Sequence, residues 1–222
     1  MPDPTPAAPT PPVKPPNKPP VEVAVEPPAA PQGGESLVSD SPGPTAEERD
    51  ALQRVLETEI PMAASMGVRV EPAGGAADGL AISMPLDRNR NHQQTAFAGS
   101  LNALCTLVGW GMTYLEMRRL GLAGVIVIRR SSIKYHRPVN STTVRAACAA
   151  VDAERRQFFR EMMQTKGQSK LDVEVTVSSP GDGRPDDGGP GEGGPDDGGP
   201  GDGQAVRPAV IFSGCYVVLP DE

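Results

Sequence analysis

The chain is short of the residues that mark several function classes. Its 222 residues hold three cysteines, two histidines, one tryptophan, three tyrosines and four phenylalanines. Cys105, Cys148 and Cys215 stand far apart, with no CxxC or CxxH spacing, so they offer neither a structural zinc site nor a redox pair. An odd number of cysteines in apolar settings reads as buried free thiols in a reducing compartment. No apolar run approaches the roughly 18 residues of a membrane span. Met1–Pro4 opens without the basic stretch and apolar run of a secretory signal. The expectation is a cytoplasmic protein with no membrane contact. Basic surplus is lacking too: 21 Lys and Arg stand against 28 Asp and Glu, for a net charge of −7. That excludes the electrostatic footprint of a nucleic-acid binder.

What is abundant is glycine and proline, and both are concentrated. Residues 1–44 hold 15 of the 26 prolines, and residues 180–203 hold five prolines and 11 of the 25 glycines. The first segment has no period that a core can use, so it is expected to be a disordered, proline-rich tail with polyproline II bias. The second is a decapeptide written twice, Pro185–Gly194 (PDDGGPGEGG) and Pro195–Gln204 (PDDGGPGDGQ). Two copies make no solenoid, and the acids lack the order of a calcium-binding loop. Strand-like segments flank it, so it reads as an expanded hairpin turn, tolerated because closure entropy grows only logarithmically with length. These two segments carry net charges of −3 and −6, which leaves the remainder at +2. The acidity therefore says nothing about the core's partner. One domain over 45–222, with an insertion at 180–203, is the expected organisation.

Within that domain Thr45-Ala46-Glu47-Glu48 has the form of a capping box, followed by an apolar stripe of Leu52, Val55 and Leu56 that Pro61 stops or bends. Met66–Ala73 and Leu80–Leu86 alternate as strands about a Gly74-Gly75 turn. Ala96–Leu120 is the longest helical pattern. It is apolar nearly all round, with Gly99, Ala103, Gly109 and Gly111 as small positions, and so reads as a buried helix against which something packs closely. Gly124–Arg137, Ser141–Val151, Lys170–Ser179 and Ala205–Leu219 read as four further strands, with a short surface helix over Asp152–Lys166. Antiparallel strands with helices to one side make an α+β layout, and a sheet curled round the single long helix is the simplest way to bury it.

The polar stretch Asp87–Ser100 leads into that helix. A glycine-containing entry exposes unpaired backbone N–H groups and the positive end of the helix dipole, which favours negative charge on a ligand. Thr95 or Asn91 is the candidate N-cap. His92 is a candidate general base here, since an imidazole titrates near neutral pH. Cys105 reads as a core thiol and His136 as a structural or contact residue. Arg88, Arg90, Arg129, Arg130, Lys134 and Arg137 are candidate phosphate contacts. No cofactor and no metal are called for.

Asn91–Leu101 (NHQQTAFAGSL), followed by Leu107–Gly111 (LVGWG), resembles the YiiD C-terminal domain family of thioesterase-like proteins. Ile133–Val139 (IKYHRPV) and Gly214–Leu219 (GCYVVL) are similar to later strands of that family. The resemblance implies the hot-dog fold, a curved antiparallel sheet wrapped round one long central helix. It also implies pairing into a homodimer, with an acyl-CoA or acyl carrier protein thioester bound beside the start of that helix. Related branches place a carboxylate on the helix as base or nucleophile. Thr106 stands about where they put it, Asn91 fits their pre-helix polar position, Phe97 replaces a histidine, and Gln94 stands where glycine is usual. On this resemblance Asn91, His92 and Thr106 are the catalytic candidates, and Thr95, Phe97, Ala98, Gly99 and Ser100 line the substrate. The implied activity is thioester hydrolysis. The missing carboxylate leaves two alternatives: malonyl-carrier decarboxylation at the start of fatty-acid synthesis, which needs a stabilised enolate but no activated water, and acyl-thioester binding without turnover.

Overall fold

The computed structural model describes residues 43–72, 78–178 and 208–220. The tail up to residue 42, the Gly74-Gly75 turn and the decapeptide repeat lie outside them. Gly43 and Pro44 belong to the packed part: Pro44 is buried, and its carbonyl accepts from Arg49 Nη1 at 3.0 Å.

The capping box forms as its spacing predicts. Thr45 Oγ1 accepts from the Glu48 N–H at 3.2 Å, and the Glu48 carboxylate accepts from the Thr45 N–H at 2.8 Å. Helix α1 (Ala46–Thr58) buries Leu52 and Leu56. Pro61 does not end the helical region but starts a second short helix, α2 (Pro61–Met66), because its missing N–H is no loss in a first turn. Gly67 closes α2 at φ +70°. The strand expected from Met66 therefore begins only at β1 (Arg69–Glu71), which pairs antiparallel with β2 (Asp78–Pro85). A short helix, α3 (Leu86–Asn89), lies in the stretch read as a loop.

The long helix is α4 (Ala98–Arg119), and Gly121 at φ +61° follows its end. Then come β3 (Val125–Tyr135), β4 (Thr143–Ala149), α5 (Ala153–Lys166) capped by Asp152, β5 (Ser169–Ser178) and β6 (Val210–Leu219). The six strands form one antiparallel sheet in the order β1-β2-β4-β5-β6-β3. β5 and β6, consecutive in the chain, pair directly as antiparallel neighbours.

The sheet curves round α4, and the central strands β2, β4, β5 and β6 bury one side against it. On β5 the inward set is Leu171, Val173, Val175 and Val177, and on β6 it is Val210, Phe212, Tyr216 and Val218, all buried. The glycines of α4 make the close approach possible. A Cβ at Gly109 would stand 2.4 Å from the Tyr216 ring, and one at Gly111 would meet Leu80 and Leu52. At its far end α4 is held by ion pairs. Arg119 bonds Glu48 of α1 at 2.7 Å and Glu116 at 3.1 Å, and Arg156 of α5 bonds Glu116 at 2.6 Å.

Candidate functional site

The approach to α4 is a small closed loop. Arg90 and Ala96 form a bridge, and inside it the Asn91 N–H donates to Thr95 O at 2.8 Å. The Asn91 side chain ties the loop from within. Its Oδ1 accepts from the Gln93 and Thr95 N–H groups at 2.9 and 3.2 Å, and its Nδ2 donates to Thr95 Oγ1 at 2.9 Å. Gln94 sits at φ +64°, the left-handed position that closes a three-residue hairpin loop. Glycine adopts this conformation without strain. His92 and Gln93 are exposed at the tip.

Neither Asn91 nor Thr95 caps α4. The N-cap is Phe97, which supplies no side-chain acceptor. The Leu101 N–H is the first to bond within the helix, to Phe97 O at 3.0 Å. The N–H groups of Ala98, Gly99 and Ser100 precede it, carry the helix's positive end, and are not capped by any side chain. The Phe97 ring, 54% exposed, lies over Gly99, where a Cβ would stand 2.4 Å from its Cε1.

From there an open stripe runs along α4. Gly99 and Asn102 are exposed, and Ala103, Thr106 and Trp110 are half-buried between fully buried neighbours. The Thr106 hydroxyl donates to the Asn102 carbonyl at 2.9 Å. Beside this stripe lies the inner face of β3. A bulge between Ile128 and Arg130 shifts the alternation, so that Ile128, Ser131, Ile133 and Tyr135 all face α4, opposite Tyr216, Gly214, Phe212 and Val210. Because β3 is the last strand and α4 does not cover it, Ile128 and Tyr135 stay 39% and 46% exposed. Stripe and strand together make a trough whose head is the uncapped start of α4. The Tyr135 hydroxyl closes that head by donating to Ala98 O at 3.0 Å.

The structure thus brings Phe97, Ala98, Gly99 and Ser100 together at the helix start and puts Thr106 two turns along the same trough. It sets Asn91, His92 and Thr95 on the preceding loop. Asn102 and Tyr135 complete the polar lining and were not among the candidates. Asn102 was within reach of a spacing argument, since it stands four residues before Thr106 and so on the same helix face. Tyr135 is placed there only by the strand order. No carboxylate stands on the stripe. Glu116, the acid of α4, is 1% exposed and engaged by Arg119 and Arg156. Burial pushes the Cys105 thiol up to about 12, so it is an inert core thiol rather than a nucleophile. A surface groove of about 400 Å³ lined by Arg130, Ser132, Asp172, Ser213 and Cys215 lies on the outer face of the sheet; it holds Arg130, one of the candidate phosphate contacts, and none of the catalytic or substrate-lining candidates. Among the described residues no group of His, Cys, Asp or Glu side chains is placed to hold a metal ion, and no helix is long and apolar enough to cross a membrane.

Known proteins place this architecture. A protein of unknown function from Chlorobaculum tepidum TLS has 28% identity and a TM-score of 0.62, over 78% of this chain and 94% of that one. A Shewanella oneidensis structure described as a putative thioesterase has 24% identity and a TM-score of 0.57, over 79% of this chain and all of that one. A Pseudomonas aeruginosa protein of unknown function, at 15% identity and a TM-score of 0.53 over 78% and 95%, shares the fold. The family model described as "Putative thioesterase (yiiD_Cterm)" matches residues 49–183. With its sheet wrapped round α4 in the hot-dog manner, the chain belongs to that YiiD C-terminal domain thioesterase family.

Proposed function

We propose that the protein is a thioesterase acting on acyl thioesters of coenzyme A or of acyl carrier protein, and that it works as a homodimer. The observation that carries this is the uncapped start of α4, open to the trough. Its free N–H groups at Gly99 and Ser100 offer fixed donors to a thioester oxygen as charge builds on it, and fixed donors cost no reorganisation at that moment. Asn91, which has a second Nδ2–H beyond the one given to Thr95, is assigned to the same oxygen. Phe97 and Ala98 wall the head of the trough, and Thr106 lines its floor. Thr95 fixes Asn91, and His92 at the exposed loop tip supplies an imidazole as base for hydrolysis. The unpaired edge of β3 is the surface on which a second copy fits.

One observation favours a second reading, decarboxylation of a malonyl thioester. The trough presents amides, hydroxyls and backbone N–H groups but no carboxylate, and Glu116 is locked in its ion pairs. Hydrolysis needs water activated by a base, whereas decarboxylation needs only that the enolate oxygen be held. The experiment is to incubate the purified protein with malonyl and saturated acyl thioesters of both carriers and weigh the products. Free acid plus thiol identifies hydrolysis, and an acetyl thioester from malonyl substrate identifies decarboxylation. An unchanged mass for every thioester overturns both readings and leaves binding alone.

A further inference from the structure

Three hydroxyls donate to backbone carbonyls along one row of α4, and they are not equivalent. Tyr135 bonds Ala98 O at 3.0 Å, Thr106 bonds Asn102 O at 2.9 Å, and Tyr216 bonds Thr106 O at 2.9 Å. Tyr216 is fully buried, so turning its hydroxyl away strands a polar group in the core. Tyr135 is 46% exposed and stands at the head of the trough, within one turn of the Gly99 N–H. Its acceptor, Ala98 O, lies in the first turn of the helix and keeps an N–H partner four residues on whether or not the phenol is present. Releasing that bond leaves nothing unsatisfied.

We propose that Tyr135 is a catalytic hydrogen-bond donor of this site, its hydroxyl turning on substrate binding from the Ala98 carbonyl onto the thioester oxygen. This rests on the thioester reading above and holds for either reaction. In hydrolysis the oxygen of water bonds to the thioester carbon and the carbonyl π pair moves onto oxygen. That pair then returns to expel the thiolate, which takes up the proton the water lost. In decarboxylation the bond to the carboxyl carbon breaks, carbon dioxide leaves, and the electron pair passes into an enolate that later takes a proton from water. Both routes put negative charge on the same oxygen, and neither consumes the phenol proton. A bond to a charged acceptor is roughly twice as strong as the neutral one it replaces, so the switch is favourable as charge develops. The phenol is a protonated donor through the neutral range, and partial burial of the ring raises its pKa further. The Phe97 ring lies over the neighbouring Gly99 at the same helix start.

The test uses the full chain and a thioester that the parent turns over. Tyr135→Phe is expected to lower kcat by about 10²–10³, the usual cost of one oxyanion donor, with KM and the melting temperature held. It is also expected to weaken binding of a nitronate analogue of the acetyl thioester enolate by a similar factor, while binding of coenzyme A itself stays the same. A Tyr135→Phe protein with the parent's kcat overturns the proposal. So does one whose whole loss lies in KM or melting temperature, for the phenol is then only a clamp between β3 and α4. If Tyr135→Phe does not fold, 3-fluorotyrosine placed at 135 keeps the shape. Its fluorine resonance must move with the nitronate and not with coenzyme A, and a resonance indifferent to both overturns the assignment. A parent protein that turns over no thioester and does not bind the analogue overturns the functional reading and this inference together. Normal parent turnover with an indifferent Tyr135 overturns the inference alone.

Discussion

A Cβ added at Gly99 would stand 2.4 Å from Cε1 of Phe97, but that ring is exposed and can swing aside. Gly99→Ala is therefore expected to leave thermal stability within about 0.5 kcal/mol of the parent, the range for surface changes. Turnover falls because the ring no longer walls the head of the trough. Gly99→Val additionally crowds the donor N–H groups and is expected to abolish turnover; a folded Gly99→Val protein with parental activity removes the helix start from the site. Asn91 has two duties that can be separated. Its Oδ1 ties the loop through Gln93 and Thr95, and its Nδ2 has an N–H to spare. Asn91→Ala removes both and is expected to cost roughly 10²–10³ in turnover. Asn91→Asp keeps the loop acceptor and loses the donor. Equal losses in steady-state assays of the two variants point to the donor, and a mild Asn91→Asp points to the loop. At this scale the apolar setting of Cys105 identified a core thiol, and the family resemblance marked Gln94 as unusual, which its positive φ explains. The sequence could not identify Tyr135, whose place depends on β3 being the strand next to β6 and last in the sheet.

Elements were easier to read, since a period of two or of 3.6 is written in consecutive residues. The exceptions are instructive. Pro61 starts α2 because an N1 proline has no N–H to lose. The α4 cap fell to Phe97 because Asn91 and Thr95 spend their side chains closing the preceding loop. The small residues of α4 were legible as a packing face, but not what packs there. Gly109→Ala tests that contact. Alanine gains about 1 kcal/mol of helix propensity, but its Cβ meets the ring of a fully buried Tyr216 that has nowhere to go. Overpacking costs roughly 1–3 kcal/mol, so net destabilisation with loss of the Tyr216–Thr106 bond is expected in urea unfolding. Gly111→Ala meets only the flexible ends of Leu80 and Leu52 and is the milder control. The other end of α4 has a pH signature. Burial alone would raise the Glu48 carboxyl, but the bonds from Arg119 and the Thr45 N–H outweigh it and hold its pKa below the ordinary 4.5. A carboxyl depressed on folding adds stability above its unfolded pKa and loses it as pH falls through the folded one. Glu48→Gln is therefore expected to be less stable than the parent near neutral pH. The two unfolding midpoints should converge as pH drops below the carboxylate range; a gap that persists in acid means the loss is one of packing.

For the molecule as a whole, the longer of the two sheet edges among the described residues is left without a partner at β3. It runs for 11 residues without a proline, bonds only β6, and exposes Val127, Ile128 and Tyr135. A long unpaired edge, here apolar over Val125–Ile128 and basic at Arg129, Arg130 and Lys134, is a template for another strand, and a second copy presenting the same edge satisfies both at once in a two-fold arrangement. Such pairing also closes the trough, because Ile128 and Tyr135 border it from β3. Assembly and activity are then linked through one strand. Light scattering at micromolar concentration is expected to give twice the chain mass. Ile128→Lys places a charge on the inner side of the edge strand, the device by which natural edges refuse partners. Ile128 is already 39% exposed in the single chain, so this change should leave the monomer fold intact by circular dichroism while it shifts the mass to one chain and lowers turnover. A parent that scatters as a monomer and is fully active shows that the trough works uncovered. An Ile128→Lys protein that stays dimeric moves the interface to another face of the molecule.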